Sequence, residues 1–220
     1  MAHGPLVREV PRKEFAPALK RILKSRTPNR AVFTPIPENR QSTMDITHED
    51  YYPGVRAVDE IGETIPSEPA TLEDFEARIQ KARLILARAA TKMTDAQYRN
   101  SVNYLNTIER AVRDMMKGFK GYHITALRTW LNPPGGSGSG SVRPHTDNPK
   151  GNGRGIILTK TFRGPSTTYY TSNRGAPQET PDEMMCGHIA DSRGAVHSSP
   201  EYKGRARNTL VLRLEKVWGM

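Results

Sequence analysis

Two long stretches in the first half of the chain repeat apolar residues every three to four positions, the spacing of one helix face. The first stretch, residues 71–92, opens with Thr71 followed three positions later by Asp74. A hydroxyl and a carboxylate at this spacing form a capping box, so we predict that a helix begins here. Its apolar stripe comprises Leu72, Phe75, Ile79, Leu84, Ile85 and Leu86.

The second stretch, residues 94–118, begins with Thr94 and Gln97 and stops at Gly118. This arrangement predicts a second capped helix. Its apolar stripe comprises Tyr98, Val102, Leu105, Ile108, Val112, Met115 and Met116. Core packing explains a stripe at this spacing, so we expect both helices to support a core rather than to hold a cofactor.

The remainder of the first half is broken by prolines. Residues 1–30 are basic and favour one helix near KEFAPALKRILKS. Residues 31–70 mix prolines with acidic residues, which predicts extended chain around a core with only short regular pieces.

After Gly121 the pattern changes to short alternating or β-branched runs separated by Gly, Pro, Asn and Ser. Such runs indicate a β-sandwich or barrel. We therefore predict an α+β fold with N-terminal helices packed on a C-terminal antiparallel β core. Residues 1–120 form a basic segment and helical support region, and residues 121–220 form the core, together making one integrated domain.

Composition and charge limit the partners and the cellular compartment that we expect for this protein. The net charge is +10, and residues 77–220 carry 23 basic against ten acidic side chains. A basic body attracts anions, so nucleic acid is a possible partner, although no motif makes it specific. No apolar run approaches the roughly 20 residues that span a bilayer, and the N-terminus has no secretory pattern. The lone Cys186 suits a reducing cytoplasm, and its apolar surroundings predict a buried small side chain.

The regular run GGSGSGS, residues 135–141, lies just before His145. Asn132-Pro133-Pro134 already makes a turn, so the run is a loop within the β core. Its regularity indicates an engineered replacement of a native loop, and a naturally Gly-Ser-rich loop is the alternative.

The candidate chemistry centres on His145-x-Asp147 and on His197. Residues i and i+2 of a strand point to the same face, so His145 and Asp147 can reach one metal together. A histidine from a facing strand completes two imidazoles and one carboxylate. This donor set is typical of non-haem Fe(II) sites with open positions. His188 is interpreted as a supporting or packing residue, and His123 has no partner at ligand spacing.

The closing region resembles the Fe(II)/2-oxoglutarate-dependent dioxygenase superfamily. Gly187-His188-Ile189-Ala190-Asp191-Ser192 stands before His197, and Gly204-Arg205-Ala206-Arg207-Asn208-Thr209-Leu210 follows it. The resemblance covers roughly residues 122–217 and implies a double-stranded β-helix, or cupin-like jelly roll. It also implies a catalytic metal triad of His145, Asp147 and His197, with Fe(II), 2-oxoglutarate and O2 as cofactors and cosubstrates. The sequence WLNPPG stands where the DNA-repair branch of this superfamily has an Asn-x-Tyr-x-Pro-Gly run. The residues that would contact the keto-acid end of 2-oxoglutarate are therefore not assigned.

The same resemblance places the 2-oxoglutarate arginine at Arg207, ten residues after His197. A guanidinium matches a carboxylate bidentately, and Thr209 on the same strand face can add a hydroxyl. On a regular strand Arg205 and Arg213 share that face, so Arg213 is a second candidate. A basic strand edge that discourages aggregation is the structural alternative for these arginines.

A narrower resemblance joins the H-x-D triplet to Gly164-Pro165-Ser166-Thr167 and Val196-His197-Ser198-Ser199-Pro200. These pieces, with Arg154, are similar to an uncharacterised bacterial domain family, which implies no substrate.

The resemblance thus implies an oxygenase that hydroxylates or otherwise oxidises an unidentified substrate, small or macromolecular, with release of succinate and carbon dioxide. Two other classes stay open. One is a β-barrel metal-binding protein without oxygenase activity, and the other is a basic nucleic-acid-binding module.

Overall fold

The protein was analysed as a computed structural model. It describes residues 6–25, 30–36, 49–132, 143–147, 154–171, 174–191, 194–199 and 206–216. The Gly-Ser run 135–141 and Arg205 lie outside these described residues, so the engineered-loop interpretation stays a prediction.

Within the described residues the chain forms four α-helices and nine strands. The helices are α1 (Arg12–Lys24), α2 (Tyr52–Thr64), α3 (Leu72–Ala89) and α4 (Asp95–Met116), with short 3-10 helices at Glu49–Tyr51 and Ala90–Lys92. The strands are β1 (Leu6–Glu9), β2 (Arg30–Pro35), β3 (His123–Asn132), β4 (Gly155–Arg163), β5 (Thr168–Tyr170), β6 (Pro177–Glu179), β7 (Met184–Ala190), β8 (Val196–Ser198) and β9 (Arg207–Glu215). None of these helices has the length and apolarity needed to cross a membrane.

Both predicted capping boxes are confirmed. The Thr71 hydroxyl accepts a hydrogen bond from the Asp74 backbone N–H at 3.1 Å, and the Asp74 carboxylate accepts from the Thr71 N–H at 2.9 Å. Thr94 and Gln97 make the same reciprocal pair at 3.1 and 3.0 Å. These bonds satisfy amide groups that have no partner within the helix, which is why each helix begins where it does.

Two predictions in the helical region are wrong. Residues 52–64, expected to be extended, form helix α2. The proline that suggested a break, Pro53, stands in the first turn, where a helix tolerates a missing N–H. Leu84 and Ile85, expected in the apolar stripe of α3, are exposed by 61% and 52%. The stripe that packs inward instead runs through Phe75, Ile79, Ala82 and Leu86.

The strands form two sheets. The larger sheet has the order β1-β2-β7-β4-β9-β3, and the smaller has the order β6-β5-β8. All pairings are antiparallel except that of β1 with β2. The predicted α+β class with antiparallel sheets is confirmed at this level, while the domain division at residue 120 stays a prediction. The sequence analysis did not anticipate that β1 and β2, from the first 35 residues, extend the sheet of C-terminal strands.

The two faces of the larger sheet have different surroundings. Leu158, Leu212 and Met185 belong to one hydrophobic core that also contains the buried faces of the helices. The opposite face, at alternate positions, meets the smaller sheet: the hydroxyl of Tyr169 on β5 lies 3.2 Å from Nδ1 of His188 on β7. The helices therefore support the sheet from behind, and a polar layer lies between the two sheets.

Candidate metal centre

His145 and His197 are held together by their own backbones. The His145 N–H donates to the His197 carbonyl at 3.0 Å, and the His197 N–H donates to the His145 carbonyl at 2.9 Å. His197 lies in β8, whereas His145 forms an isolated antiparallel bridge rather than part of a regular strand. Within the described residues 143–147 the predicted strand is seen only as this bridge, which sets the two imidazole rings side by side, with centroids 4.6 Å apart.

Asp147 lies between the two rings. Its Oδ1 atom is 3.6 Å from Nε2 of His145, and its Oδ2 atom is 3.2 Å from Nε2 of His197. One ligand atom from each of the three residues lies within 4.8 Å of the others. The sequence-predicted residues are thus brought together at distances that a single metal ion can bridge.

The outer nitrogen of each of these two imidazoles has a fixed partner. Nδ1 of His145 lies 2.8 Å from the carbonyl of Arg143, and Nδ1 of His197 lies 2.9 Å from the carbonyl of Ala195. A carbonyl only accepts, so Nδ1 carries the proton and the Nε2 lone pair is directed at the centre. Metal-binding histidines in proteins are oriented in this way, and the residues present therefore fit a metal.

A third imidazole reaches the same carboxylate. His188 on β7 is 1% exposed, and its Nε2 lies 2.7 Å from Oδ2 of Asp147. Its Nδ1 lies 3.2 Å from the hydroxyl of Tyr169, which is fully buried on β5. His188 therefore occupies a supporting position beside the predicted ligands, and the sequence analysis did not identify its partnership with Tyr169.

The charges of the cluster are strongly coupled. Burial raises the pKa of Asp147, but hydrogen bonds with the three imidazoles outweigh burial and hold that pKa far below its usual range. The hydrogen bond with Asp147 raises the pKa of His145. Burial lowers the pKa of His188, and the neighbouring His197 lowers it further. The carboxylate is therefore ionised and His188 favours the neutral form, whereas His145 must give up the proton that Asp147 favours before its Nε2 can bind a cation.

The candidate 2-oxoglutarate residues lie on β9. Arg207 is 5% exposed, and its Nε donates to the Pro165 carbonyl at 3.1 Å. Burial lowers the pKa of its guanidinium. Thr209 is 1% exposed and pairs with Thr161 across the sheet, and its hydroxyl has no hydrogen-bond partner among the described residues. A buried guanidinium beside a hydroxyl that lacks a partner fits a carboxylate ligand.

Arg213 has a different environment. Its Nε lies 2.6 Å from Oε1 of Glu215, so a carboxylate of the chain already lies against it. Arg207 has no ion pair with any described residue. This difference favours Arg207 over Arg213 as the group that accepts an external carboxylate.

Cys186 is fully buried in the layer between the sheets, as predicted. Its thiol lies 3.6 Å from the Thr167 hydroxyl, and burial raises its pKa. A buried thiol with a raised pKa is a poor nucleophile, which agrees with its interpretation as a packing residue.

No family model matches this chain, and no curated protein sequence matches it. Among solved structures, it is similar to a prolyl hydroxylase from Trichoplax adhaerens in complex with a hypoxia inducible factor oxygen degradation domain peptide fragment. The TM-score is 0.35 at 18% identity, with 56% of this chain and 59% of that one covered.

It is also similar to an oxidoreductase of the 2OG-Fe(II) oxygenase family from Burkholderia pseudomallei, with a TM-score of 0.38 at 14% identity and 55% and 60% coverage. A third is a prolyl-4-hydroxylase from Pseudomonas putida, with a TM-score of 0.33 at 14% identity and 63% and 82% coverage. The chain spans only about three fifths of the length of the first two. Likeness at this level carries no information about activity.

Proposed function

We propose that the protein is a non-haem Fe(II)- and 2-oxoglutarate-dependent oxygenase that hydroxylates or otherwise oxidises its substrate. The observation that carries the proposal is the His145, Asp147 and His197 cluster, whose ligand atoms lie within 4.8 Å of one another. Two imidazoles and one carboxylate form the donor set of iron sites that keep open positions for a cosubstrate and dioxygen. A structural zinc site, by contrast, closes with four protein ligands.

The polar layer between the sheets supports the second half of the proposal. Arg207 and Thr209 would hold the far carboxylate of 2-oxoglutarate, since both are buried and neither is paired with a carboxylate of the described chain. Asp147 and the two ligand histidines would hold the iron, with the Nδ1 bonds of the histidines fixing the rings. When bound, iron and 2-oxoglutarate supply an O2-dependent oxidation that releases succinate and carbon dioxide.

The finer fold assignment, a double-stranded β-helix, belongs to the same proposal. From β4 onward the chain places β4, β7 and β9 in the larger sheet. In chain order, β5 and β6 come between β4 and β7, and β8 comes between β7 and β9, all three in the smaller sheet. This alternation supports a jelly roll, whose metal site lies between its two sheets. The narrower likeness to an uncharacterised bacterial family stays a prediction.

The experiment is a measurement of succinate formed from 2-oxoglutarate with Fe(II) and O2, without added substrate. Slow uncoupled turnover is expected in the wild type and none in His197→Ala. His123→Ala is the matched control, because His123 lies in β3 outside the cluster. Tight binding of Fe(II) without any succinate would instead favour a β-barrel metal-binding protein without oxygenase activity.

A further inference from the structure

A cleft of about 780 Å³ lies between α2 and α3. The short 3-10 helix Ala90–Lys92 and the residues leading into α4, including Met93 and Gln97, line one part of it. None of the residues that line it belongs to the metal cluster or to a strand. The helices also cover the face of the larger sheet opposite the polar layer, so the cleft is separate from the site described above.

The floor of the cleft is apolar and follows one side of each helix. From α2 it takes Pro53, Ala57 and Ile61, at four-residue intervals. From α3 it takes Ala82, Ile85, Leu86 and Ala89. Residues at these intervals fall on one side of a helix, so the cleft is a groove that runs along both helices. Its lining residues on α2 extend from Tyr52 to Thr64, a length of about 18 Å at 1.5 Å per residue.

Large apolar side chains in this groove are exposed. Tyr52 and Ile85 are each 52% exposed, and both line the groove. Among the described residues, only two other large apolar side chains, Leu84 and Trp130, are exposed. The sequence pattern places Ile85 in the inward stripe of α3, yet in the structure about half of the residue is exposed. Two exposed apolar side chains in one groove are suited to contact with an apolar partner surface.

The rim of the groove carries more positive than negative charge, since four cations and two acids, Glu60 and Glu68, line it. Arg56, Lys81 and Lys92 line it, and none of them forms an ion pair with another described residue. Arg78 differs from them, because it is paired with Glu68 at 3.2 Å. Set against Glu60, these three cations leave the groove with a net positive charge around its apolar floor. Such a groove complements a ligand that is apolar on one side and acidic on the other.

We propose that this groove docks an acidic amphipathic helix of a partner protein. About 18 Å of groove accommodates roughly three helical turns, enough for apolar anchors at positions i, i+3 or i+4, and i+7. The acidic flanks of that helix would face Arg56, Lys81 and Lys92. Nucleic acid is a poorer occupant, because its outer surface is charged phosphate and would leave Ile85 and the apolar floor uncovered.

The probe is a fluorescein-labelled peptide of about 14 residues, ~21 Å when helical, with Leu at helical spacing and Glu elsewhere. Its anisotropy is measured against the wild-type protein and compared with a peptide in which Lys replaces every Glu. The acidic peptide is expected to bind about tenfold or more tightly than the basic one, and binding is expected to weaken as salt is raised. Equal binding of both peptides would overturn the proposal.

Two neighbouring residues supply the matched variants. Ile85→Glu places a charge in the groove and is expected to weaken binding of the acidic peptide by about tenfold or more. Leu84→Glu introduces the same charge at an equally exposed position that does not line the groove, and is expected to stay within about twofold. A similar loss in both variants would show general repulsion and would refute the groove.

A membrane surface is the remaining alternative to a partner helix in this groove. Vesicles of phosphatidylglycerol and phosphatidylcholine are sedimented with the wild type and with Ile85→Glu. Stronger retention on vesicles than on the acidic peptide, lost in Ile85→Glu, would overturn the helix proposal in favour of lipid. These measurements need neither metal nor 2-oxoglutarate, so their failure leaves the proposed oxygenase activity untouched.

Discussion

The Nε2 atom of His188 lies 2.7 Å from Oδ2 of Asp147, so a buried imidazole hydrogen-bonds to the carboxylate of the predicted metal ligand. The Tyr169 hydroxyl lies 3.2 Å from the other ring nitrogen of His188. A proton on Nε2 leaves Nδ1 to accept from Tyr169, so the three groups form one directed chain. Such a chain restricts the rotation of the carboxylate before any metal arrives.

We therefore expect His188→Ala to weaken binding of Fe(II) or Co(II) by roughly 10- to 100-fold, the usual cost of losing a group that orients a ligand. Isothermal titration provides the measurement. His188→Gln, which keeps an N–H donor, should recover part of the loss. If His188→Ala instead removes binding as completely as His145→Ala, then His188 is itself a ligand.

Substitutions of Arg207 and Arg213 are expected to differ in their effect on the concentration of 2-oxoglutarate that the enzyme needs. Arg207→Ala should raise the concentration of 2-oxoglutarate that half-saturates succinate formation by about 100-fold, since a buried charge partner is worth about 2–5 kcal/mol. Metal affinity should stay unchanged. Arg213→Ala should have little effect on this concentration, because Glu215 already lies against Arg213. The reverse order of effects would transfer the role to Arg213.

Gly164 lies against Ala206, the residue just before β9. It has φ of +81°, and a Cβ atom built on it would lie 2.2 Å from the carbonyl oxygen of Ala206. Gly164→Ala should therefore lower the free energy of unfolding by about 2 kcal/mol or more, through a strained backbone and a clash beside Arg207. Urea denaturation measures this cost. Gly121→Ala is the control, since Gly121 also has a positive φ but a Cβ there meets nothing within 4 Å.

Asp114 stabilises the contact between the helices and the sheet in a pH-dependent way. Its carboxylate lies 2.8 Å from Arg12 and 3.1 Å from Lys160, which is 6% exposed. Burial raises the pKa of Asp114, but these two cations outweigh burial and hold it below its usual value. A carboxyl with a lowered folded-state pKa stabilises the protein above its unfolded-state pKa, and this stabilisation is lost as pH falls through the folded-state value.

Asp114→Asn should thus lower the free energy of unfolding by about 2 kcal/mol at pH 7, because it removes the carboxylate that pairs with buried Lys160 and half-buried Arg12. The difference from the wild type should shrink as the pH falls below about 4, where the unfolded carboxyl is protonated. Urea melts at neutral and acidic pH measure both values. A difference that is constant with pH would show that the ion pairs do not stabilise the fold.

The helices α3 and α4 could be predicted from the sequence because their information is local. A hydroxyl and a carboxylate or amide three positions apart satisfy the first amides of a helix, whatever surrounds it. The fourth turn of α3 shows the limit of this reasoning. Ile85 has the spacing of a core residue but faces a groove, because the neighbouring helices decide which side of α3 is covered.

The candidate site divides in the same way. Spacing and residue type were sufficient to select His145, Asp147 and His197, which the structure brings together, since a metal restricts which side chains can hold it. Arg207 was selected by the family resemblance, and its role stays a prediction. The pairing of Tyr169 with His188 depends on how two sheets are stacked, which no short-range pattern records. The same is true of the strands at the edge of the larger sheet. There β2 pairs with β7 over a long range, and β1 pairs with β2.

The sequence by itself therefore determined the capped helices, the α+β class and the types of side chain at the candidate centre. Only the tertiary structure decided which imidazole supports Asp147, which arginine is already paired, and which apolar residues are left exposed. The physical reason is that capping and periodicity act within a few residues, whereas strand register and the stacking of layers join residues up to about 180 positions apart, as Leu6–Glu9 and Met184–Ala190 are in one sheet.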